Sequence, residues 1–343
     1  MKIGVVGAGS WGTAISHLLA KKGEEVRLWA RRSEIAQHIN EVRHNPIYLT
    51  EKELARGLLA SNSIREVIEE ADLVILAVPS HALRDVVRQI KPFFKSSAPV
   101  LSLTKGIEEG SGLRMSQVIK EELGEAALVA VLSGPNHAEE VIEEIPSATV
   151  VAGYDEALLE NLQKVLITDY FRVYTNSDLI GVEVGGATKN IVALASGISD
   201  GLGYGDNTKA SLMTRGLAEM VRLGVALGAD PLTFLGLSGV GDLIATCTSL
   251  HSRNRQVGEQ IGRGKSLEEV LNSMTMVAEG VRTTRAVYNL ARRLGVDMPI
   301  TDEVYQVLYG GKEPRETVME LMLRAPKSEV KPLLEEGNKT RTT

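Results

Sequence analysis

A change of periodicity halfway along the chain predicts an α/β protein: a dinucleotide-binding sheet domain followed by an all-α domain. Three observations carry this. The chain opens on a short apolar strand, Lys2-Ile-Gly-Val-Val, that runs directly into Gly7-x-Gly9-x-x-Gly12. Strand-like and helix-like segments then alternate as far as Phe171–Tyr174. From Gly181 onward, long helical patterns succeed one another with no convincing strand between them.

The glycine run is the first element to justify. Gly7 permits a tight turn, Gly9 lets a pyrophosphate approach the backbone, and Gly12 lets the next helix pack on the strand. Ser10 is expected to cap that helix, in which Ile15, Leu18 and Leu19 recur at helical spacing until Gly23. Such a helix points N–H groups at the phosphates. A purely structural βα turn is the competing explanation, and the flanking strand and helix argue against it.

The remaining elements follow the same alternation. Val26–Ala30 reads as a strand, Ser33 as the cap of a short helix, and Ser63 as the start of a helical run over Ile64–Glu70. Asp72–Pro79 is almost continuously apolar, as a strand covered on both faces must be. Ser80 starts a helix with Leu83, Val86, Val87 and Ile90 on one face. Pro99–Leu103, Leu128–Leu132 and Ala148–Ala152 add strands, and Phe171–Tyr174 reads as the last. The alternation implies a parallel sheet with its ligand crevice at the strand carboxyl ends. In the second half, Asn207 or Thr208 is expected to cap a helix that runs to Gly228, and Asp230-Pro231 to open another. Ser266–Ser273 and Val281–Leu294 also read as helices. The expected boundaries are 1–181 for a Rossmann domain, 182–325 for the all-α domain and 326–343 for a polar tail.

Composition narrows the function. A formal charge of −6 over 343 residues argues against a dedicated nucleic-acid or anionic-membrane partner. No apolar run reaches the ~18 residues of a membrane span, and a strand starting at Lys2 leaves no room for a cleaved leader. Cys247 stands alone, so an intrachain disulfide is excluded. It reads as a small buried hydrophobe, and no Cys/His metal pattern accompanies it.

Cofactor selection turns on the end of the second strand. An Asp or Glu there would bind a ribose 2′-hydroxyl. The sequence instead reads Trp29-Ala-Arg31-Arg32. Arginines suit a 2′-phosphate, so NADPH is expected over NADH, with one of the two arginines a solvated surface charge. Tyr48 lies in a loop able to cover the adenine or ribose, or it is a packed loop aromatic.

Three polar clusters look out of place as structure alone. Thr104-Lys105-Gly106 follows a buried strand, and Ser133-Gly134-Pro-Asn136-His137-Ala138 repeats the arrangement after the next. Asn136 reads as a helix cap, and His137 has no evident carboxylate partner for acid–base work. Gly185-Gly-Ala-Thr-Lys189-Asn190 leads into Ile191–Ala195, so Lys189 is expected to begin a strongly apolar helix. A cation there is costly unless it is solvated or paired. In Gly239-Val-Gly-Asp242-Leu-Ile-Ala-Thr246, Asp242 and Thr246 share one helix face. Ser252-Arg253-Asn254 would start the next helix, a site for a phosphate unless Arg253 is an ordinary surface charge. Hydride arriving at a ketone carbon leaves a developing alkoxide that needs a proton donor or a cation. Lys105 and Lys189 in one crevice would supply it, Asp242 would orient the acting ammonium, and Arg253 would hold an anionic tail.

These motifs, in this order, closely resemble the bacterial NAD(P)-dependent sn-glycerol-3-phosphate dehydrogenases. The resemblance spans nearly the whole chain. It rests on Gly7-Ala-Gly-Ser-Trp-Gly-Thr13, Ala77-Val-Pro-Ser80, Ser102-Leu-Thr-Lys-Gly106 and Leu132-Ser-Gly-Pro-Asn136. It continues in Gly185-Gly-Ala-Thr-Lys-Asn190, Gly239-Val-Gly-Asp-Leu243, Ser252-Arg-Asn254 and Val277-Ala-Glu-Gly280. It implies a helical domain like the carboxyl-terminal domain of 6-phosphogluconate dehydrogenase. It also implies reversible reduction of dihydroxyacetone phosphate to sn-glycerol 3-phosphate, the glycerophospholipid precursor, with Lys189 as proton donor and acceptor. By the same resemblance, Lys105, Gly134, Asn136, Lys189, Asp242, Ser252, Arg253 and Asn254 surround the substrate. Ser10, Trp11, Arg31, Arg32, Tyr48, Lys105, Ala138, Arg253, Val277 and Glu279 surround the cofactor. Asn136 stands where members often carry serine or threonine, and it keeps a polar side chain. Members usually accept both NADPH and NADH, work in the cytoplasm and assemble as homodimers. Two alternatives remain at this point: a related β-hydroxyacid or sugar-acid dehydrogenase, and a silent dinucleotide sensor using the first domain alone. The sensor would leave Lys189, Asp242 and Arg253 without a shared purpose.

Overall fold

The computed structural model describes residues 1–274, 278–326 and 328–329. The chain divides into two compact units, Met1–Lys105 with Arg114–Leu179, and Gly106–Leu113 with the residues from Ile180 onward.

The first unit is a sheet covered by helices. Its strands are β1 (Lys2–Val6), β2 (Glu25–Trp29), β3 (Leu58–Ser61), β4 (Leu73–Leu76), β5 (Val100–Ser102), β6 (Val129–Ser133), β7 (Ser147–Ala152) and β8 (Phe171–Asn176). Between them lie α1 (Ser10–Lys21), α2 (Ser33–Val42), α3 (Ile64–Ile68), α4 (Leu83–Ile90), α5 (Met115–Leu123), α6 (Ala138–Ile142) and α7 (Glu156–Leu166). The strand order is β3-β2-β1-β4-β5-β6-β7-β8. The order reverses between β1 and β4, the topological switch point at which open α/β sheets bind ligands.

All four residues of β4 are buried, which explains its unbroken apolar run. The sheet is parallel from β3 to β6, but β7 pairs antiparallel with β6. Helix α6 packs on α1, and the chain re-enters the sheet from the end at which β6 leaves it. The edge pair β7–β8 is therefore reversed, a common extension of doubly wound sheets. Strand β3 has no counterpart in the sequence reading. Its four residues alternate buried and exposed at the sheet edge, too short a run to stand out.

Several caps differ from expectation. Gly9, not Ser10, is the N-cap of α1, and Ser10 is the first helical residue. Arg32, not Ser33, precedes α2. Ser63 does cap α3, its hydroxyl accepting from the Glu66 amide.

The second unit is all-helical: α8 (Leu179–Gly201), α9 (Asp206–Ala226), α10 (Asp242–Thr248), α11 (Arg253–Gly262), α12 (Leu267–Asn272), α13 (Glu279–Leu294), α14 (Pro299–Tyr309) and α15 (Pro314–Met322). Helix α8 is the central one. Val184, Ala187, Ile191, Ala193, Leu194 and Ile198 are all buried, and a helix apolar on most sides belongs inside. Residues 106–113 belong to this unit, although the sequence placed everything up to 181 in the first. Ile107 lies in the helical core, the Glu109 carboxylate pairs with Arg285 at 3.0 Å, and Arg293 donates to the Ser111 carbonyl. Helix α9 starts at Asp206 behind Gly205, ahead of the expected Asn207 or Thr208. No helix among the described residues is long and apolar enough to cross a membrane.

One helix start is capped from a distance. Met298 precedes α14 and provides no side-chain cap. The buried Glu219 carboxylate of α9 instead accepts from the Ile300 and Thr301 amides and from the Thr301 hydroxyl. Burial pushes this carboxyl up to about 7, against the lowering effect of those hydrogen bonds and of Arg222. A carboxyl raised in the folded state stabilises the fold most when protonated, and that contribution is lost as pH rises through 7. Between pH 5 and pH 8 the wild-type chain should therefore lose about 2 to 3 kcal/mol relative to Glu219→Gln. Urea unfolding of both proteins across that range measures it; parallel pH profiles would remove Glu219 as the cause.

Candidate functional site

The first unit gathers its polar groups at the carboxyl ends of its strands. Gly7 has φ +114° at the turn out of β1, and a Cβ there would lie 2.5 Å from the Ala77 carbonyl oxygen. A Cβ at Gly12 would run into the Gly7 carbonyl, so α1 can pack this closely only with glycine. Gly9 differs: nothing lies within 4 Å of where its Cβ would be. The protein's own packing does not require glycine there, and no side chain caps α1. This is the open, amide-lined cradle that a dinucleotide pyrophosphate fits.

Around that loop, Trp11 packs near Phe171, their ring centroids 6.3 Å apart. Its indole Nε1 is buried without a hydrogen-bond partner. Arg31 and Arg32 follow β2 and are exposed, with Arg32 3.9 Å from Glu34. Tyr48 is half-buried in the loop after α2. The sequence reading missed how this loop is held. Asn45, fully buried, donates to the Ala8 carbonyl at 3.1 Å and to the Thr13 hydroxyl at 2.9 Å. Its own oxygen accepts from the Tyr48 amide. Asn45 thus ties the Tyr48 loop to the glycine run. The available signal was the Asn45-Pro46 dipeptide, which marks a turn.

Lys105 stands just past β5. Its ammonium donates to the Gly134 carbonyl at 3.2 Å and to Asn136 Oδ1 at 3.3 Å. Asn136 does not cap α6. Its Nδ2 donates to the Thr149 hydroxyl, which in turn donates to the Ser133 carbonyl. The N-cap of α6 is His137, without a side-chain capping bond, and Ala138 is buried in the first helical position.

In the second unit Lys189 is withdrawn from solvent. It does not begin a helix. It sits in the middle of α8, and Gly185 and Gly186 are helical residues before it. Gly185 serves packing: a Cβ there would lie 2.6 Å from the Ser238 carbonyl oxygen. That carbonyl belongs to a short turn, Leu237–Gly241, kinked at Gly239 (φ −94°, ψ −106°), that delivers the chain to α10. Lys189 is buried, and its ammonium donates to Asp242 Oδ1 and to the Thr246 hydroxyl, both at 2.6 Å. Thr246 donates onward to Asp242 at 3.2 Å. One helix face therefore supplies both partners, as the spacing of Asp242 and Thr246 predicted. Cys247, beside them on α10, is wholly buried, and burial pushes its thiol up to about 12. It is not a nucleophile at neutral pH.

Helix α11 begins next to this pair. Ser252 caps it, accepting from the Arg255 amide at 3.3 Å. Asn254 is buried; it donates to Asn190 Oδ1 at 2.9 Å and accepts from the Gly280 amide at 2.8 Å. Asn190, the neighbour of Lys189, is thereby linked to the first turns of both α11 and α13. Arg253 and Glu279 head those two helices and are half-buried. Val277 lies outside the described residues.

Comparison with known proteins places these residues in a family. The family model described as the NAD-dependent glycerol-3-phosphate dehydrogenase N-terminus matches residues 2–159, and the model of the C-terminus matches residues 178–319. A glycerol-3-phosphate dehydrogenase (NAD(P)+) of Geobacillus kaustophilus is 52% identical over 330 residues, covering 96% of each chain. That of Carboxydothermus hydrogenoformans is 52% identical over 331 residues, covering 96% of this chain and 98% of its own. The crystal structure of the Coxiella burnetii glycerol-3-phosphate dehydrogenase superposes with a TM-score of 0.90 at 38% identity, covering 94% of this chain and 98% of that one. The chain belongs to the NAD-dependent glycerol-3-phosphate dehydrogenase family.

Proposed function

We propose that this chain is an NAD(P)-dependent sn-glycerol-3-phosphate dehydrogenase that reversibly reduces dihydroxyacetone phosphate. The observation that carries the reading is Lys189, a buried ammonium held by Asp242 and Thr246, in a chain of this family. A sensor that only bound a dinucleotide would have no use for it.

The first unit takes the cofactor. Gly7, Gly9 and Gly12 with the start of α1 would hold the pyrophosphate, with Ser10, Trp11 and Tyr48, on the loop held by Asn45, as further cofactor contacts. Ala138 completes the set in this unit. Arg31 and Arg32 favour NADPH through its 2′-phosphate, with NADH also accepted. When bound, the reduced cofactor supplies hydride to the substrate carbonyl carbon.

The chain's own groups do the rest. Lys189 donates a proton to the carbonyl oxygen during reduction and takes it back during oxidation. Asp242 and Thr246 fix where that proton points. Lys105, held by the Gly134 carbonyl and Asn136, is the second cation assigned to the reaction. The substrate phosphate goes to the first turn of α11, where Ser252, Arg253 and Asn254 combine side-chain charge with helix amides. The same reading has the chain work as a homodimer in the cytoplasm, supplying sn-glycerol 3-phosphate for glycerophospholipid synthesis.

The direct test compares NADPH oxidation with dihydroxyacetone phosphate and with unphosphorylated dihydroxyacetone. The phosphate ester should be strongly preferred; equal kcat/KM on both would remove the phosphate role of Arg253. Lys189→Ala should lower kcat by at least about 100-fold, the low end for general acid–base catalysis. Near-normal turnover in that variant would refute the assignment. The pair also has a stability signature. Asp242→Leu leaves the buried ammonium without its carboxylate and should cost about 3 to 5 kcal/mol, whereas Lys189→Met combined with Asp242→Leu should cost far less. Urea unfolding of the double-mutant cycle measures the coupling, and additive losses would mean the pair is not energetically linked.

A further inference from the structure

Helices α8 and α11 meet backbone to backbone. A Cβ at Gly197 or Gly201 of α8 would run into the Arg255 or Glu259 carbonyl of α11. In return, a Cβ at Gly258 or Gly262 of α11 would run into the Leu194 or Ile198 carbonyl of α8. Each helix thus carries a glycine pair with four-residue spacing that admits the other. Such a contact fixes the axes but leaves rotation of the α11 first turn to side chains.

Two side chains supply that restraint, from opposite directions along α8. Asn254 reaches Asn190, beside Lys189. Arg255 reaches the other way: its Nε donates to Asp200 Oδ2 at 2.9 Å, and its guanidinium lies 3.3 Å from Glu259. Arg255 is buried, and its amide is the one that the Ser252 hydroxyl caps. Asp200 also accepts from Lys209 of α9 at 2.7 Å.

We infer that Asp200 and Arg255 are positioning residues that hold the first turn of α11 on α8, and so set the distance from Lys189 to the phosphate-receiving end of α11. The inference rests on the function proposed above. The fixed span selects a ketone whose carbonyl and phosphate are separated by the length of dihydroxyacetone phosphate. Neither residue touches the substrate. Their effect is on binding of the phosphate, not on proton transfer to the carbonyl.

The test uses the full chain and steady-state kinetics with NADPH, dihydroxyacetone phosphate and unphosphorylated dihydroxyacetone. Arg255→Lys keeps the charge but loses the forked geometry. It should raise KM for dihydroxyacetone phosphate at least about tenfold, since small misplacements of a positioning group carry large kinetic penalties. kcat/KM for dihydroxyacetone and KM for NADPH should stay near wild type. Asp200→Asn should do the same, and it carries the test if Arg255→Lys does not fold. Lys209→Met removes the other cation on Asp200 from a different helix and should leave KM for dihydroxyacetone phosphate unchanged. Unchanged KM in both positioning variants, equal losses on both ketones, or an equal effect from Lys209→Met would each overturn the inference. A wild-type enzyme that did not discriminate the two ketones would instead remove the functional reading beneath it.

Discussion

The second unit is organised around the buried ammonium of Lys189. An ammonium inside a helical core is costly unless a carboxylate and hydrogen-bond acceptors surround it. Lys189 meets that requirement with Asp242 and Thr246 of α10. The need to bring Asp242 and Thr246 against the middle of α8 constrains much else. The chain before α10 must pass close to α8, and the kinked turn at Leu237–Gly241 achieves this where Gly185 has no side chain. A larger residue at Gly185 would press on the Ser238 backbone and move the carboxylate away from the ammonium.

The same logic extends to the helix starts nearby. Asn190 follows Lys189 in sequence and holds Asn254, which in turn holds the Gly280 amide. Three helices are thereby indexed to the position of the buried lysine. A buried amide side chain with both ends engaged has one favourable orientation, so the network specifies register as well as adding stability. The groups assigned to substrate phosphate and to cofactor head two of those helices. Their placement is then a consequence of where the charge sits, not an independent feature.

Much of this was legible in the sequence. The glycine run, the unbroken apolar strand Leu73–Leu76 and the Asp242–Thr246 spacing each have a local physical cause, and the structure displays each locally. The helical starts at Ser63, Asp230-Pro231 and Ser266 were visible for the same reason, although the segment after Asp230 is a short 3₁₀ turn, Pro231–Leu235. What was not legible depended on distant partners. Lys189 looked like a helix start because two glycines precede it, yet those glycines are helical, and one of them makes room for another segment. Asn136 resembled a cap but its partners are Lys105 and Thr149, remote in sequence. Glu219 gave no sign that it caps α14, some eighty residues away. Residues 106–113 looked like a loop of the first domain, because only the fold shows Ile107 entering the helical core.

Glycine makes the distinction sharpest, since one residue type serves two opposite purposes here. At Gly12, Gly185, Gly197 and Gly258 the missing side chain is replaced by the protein's own backbone. Substitution at these positions acts through packing, so its first effect is on stability. At Gly9 the space is unfilled by the chain, and a Cβ would meet nothing. The folded protein therefore tolerates a side chain there on steric grounds. Spacing in a sequence cannot separate these two kinds of glycine. The surroundings of the missing Cβ separate them, and at Gly9 they show that the chain's own packing leaves the loop after β1 open.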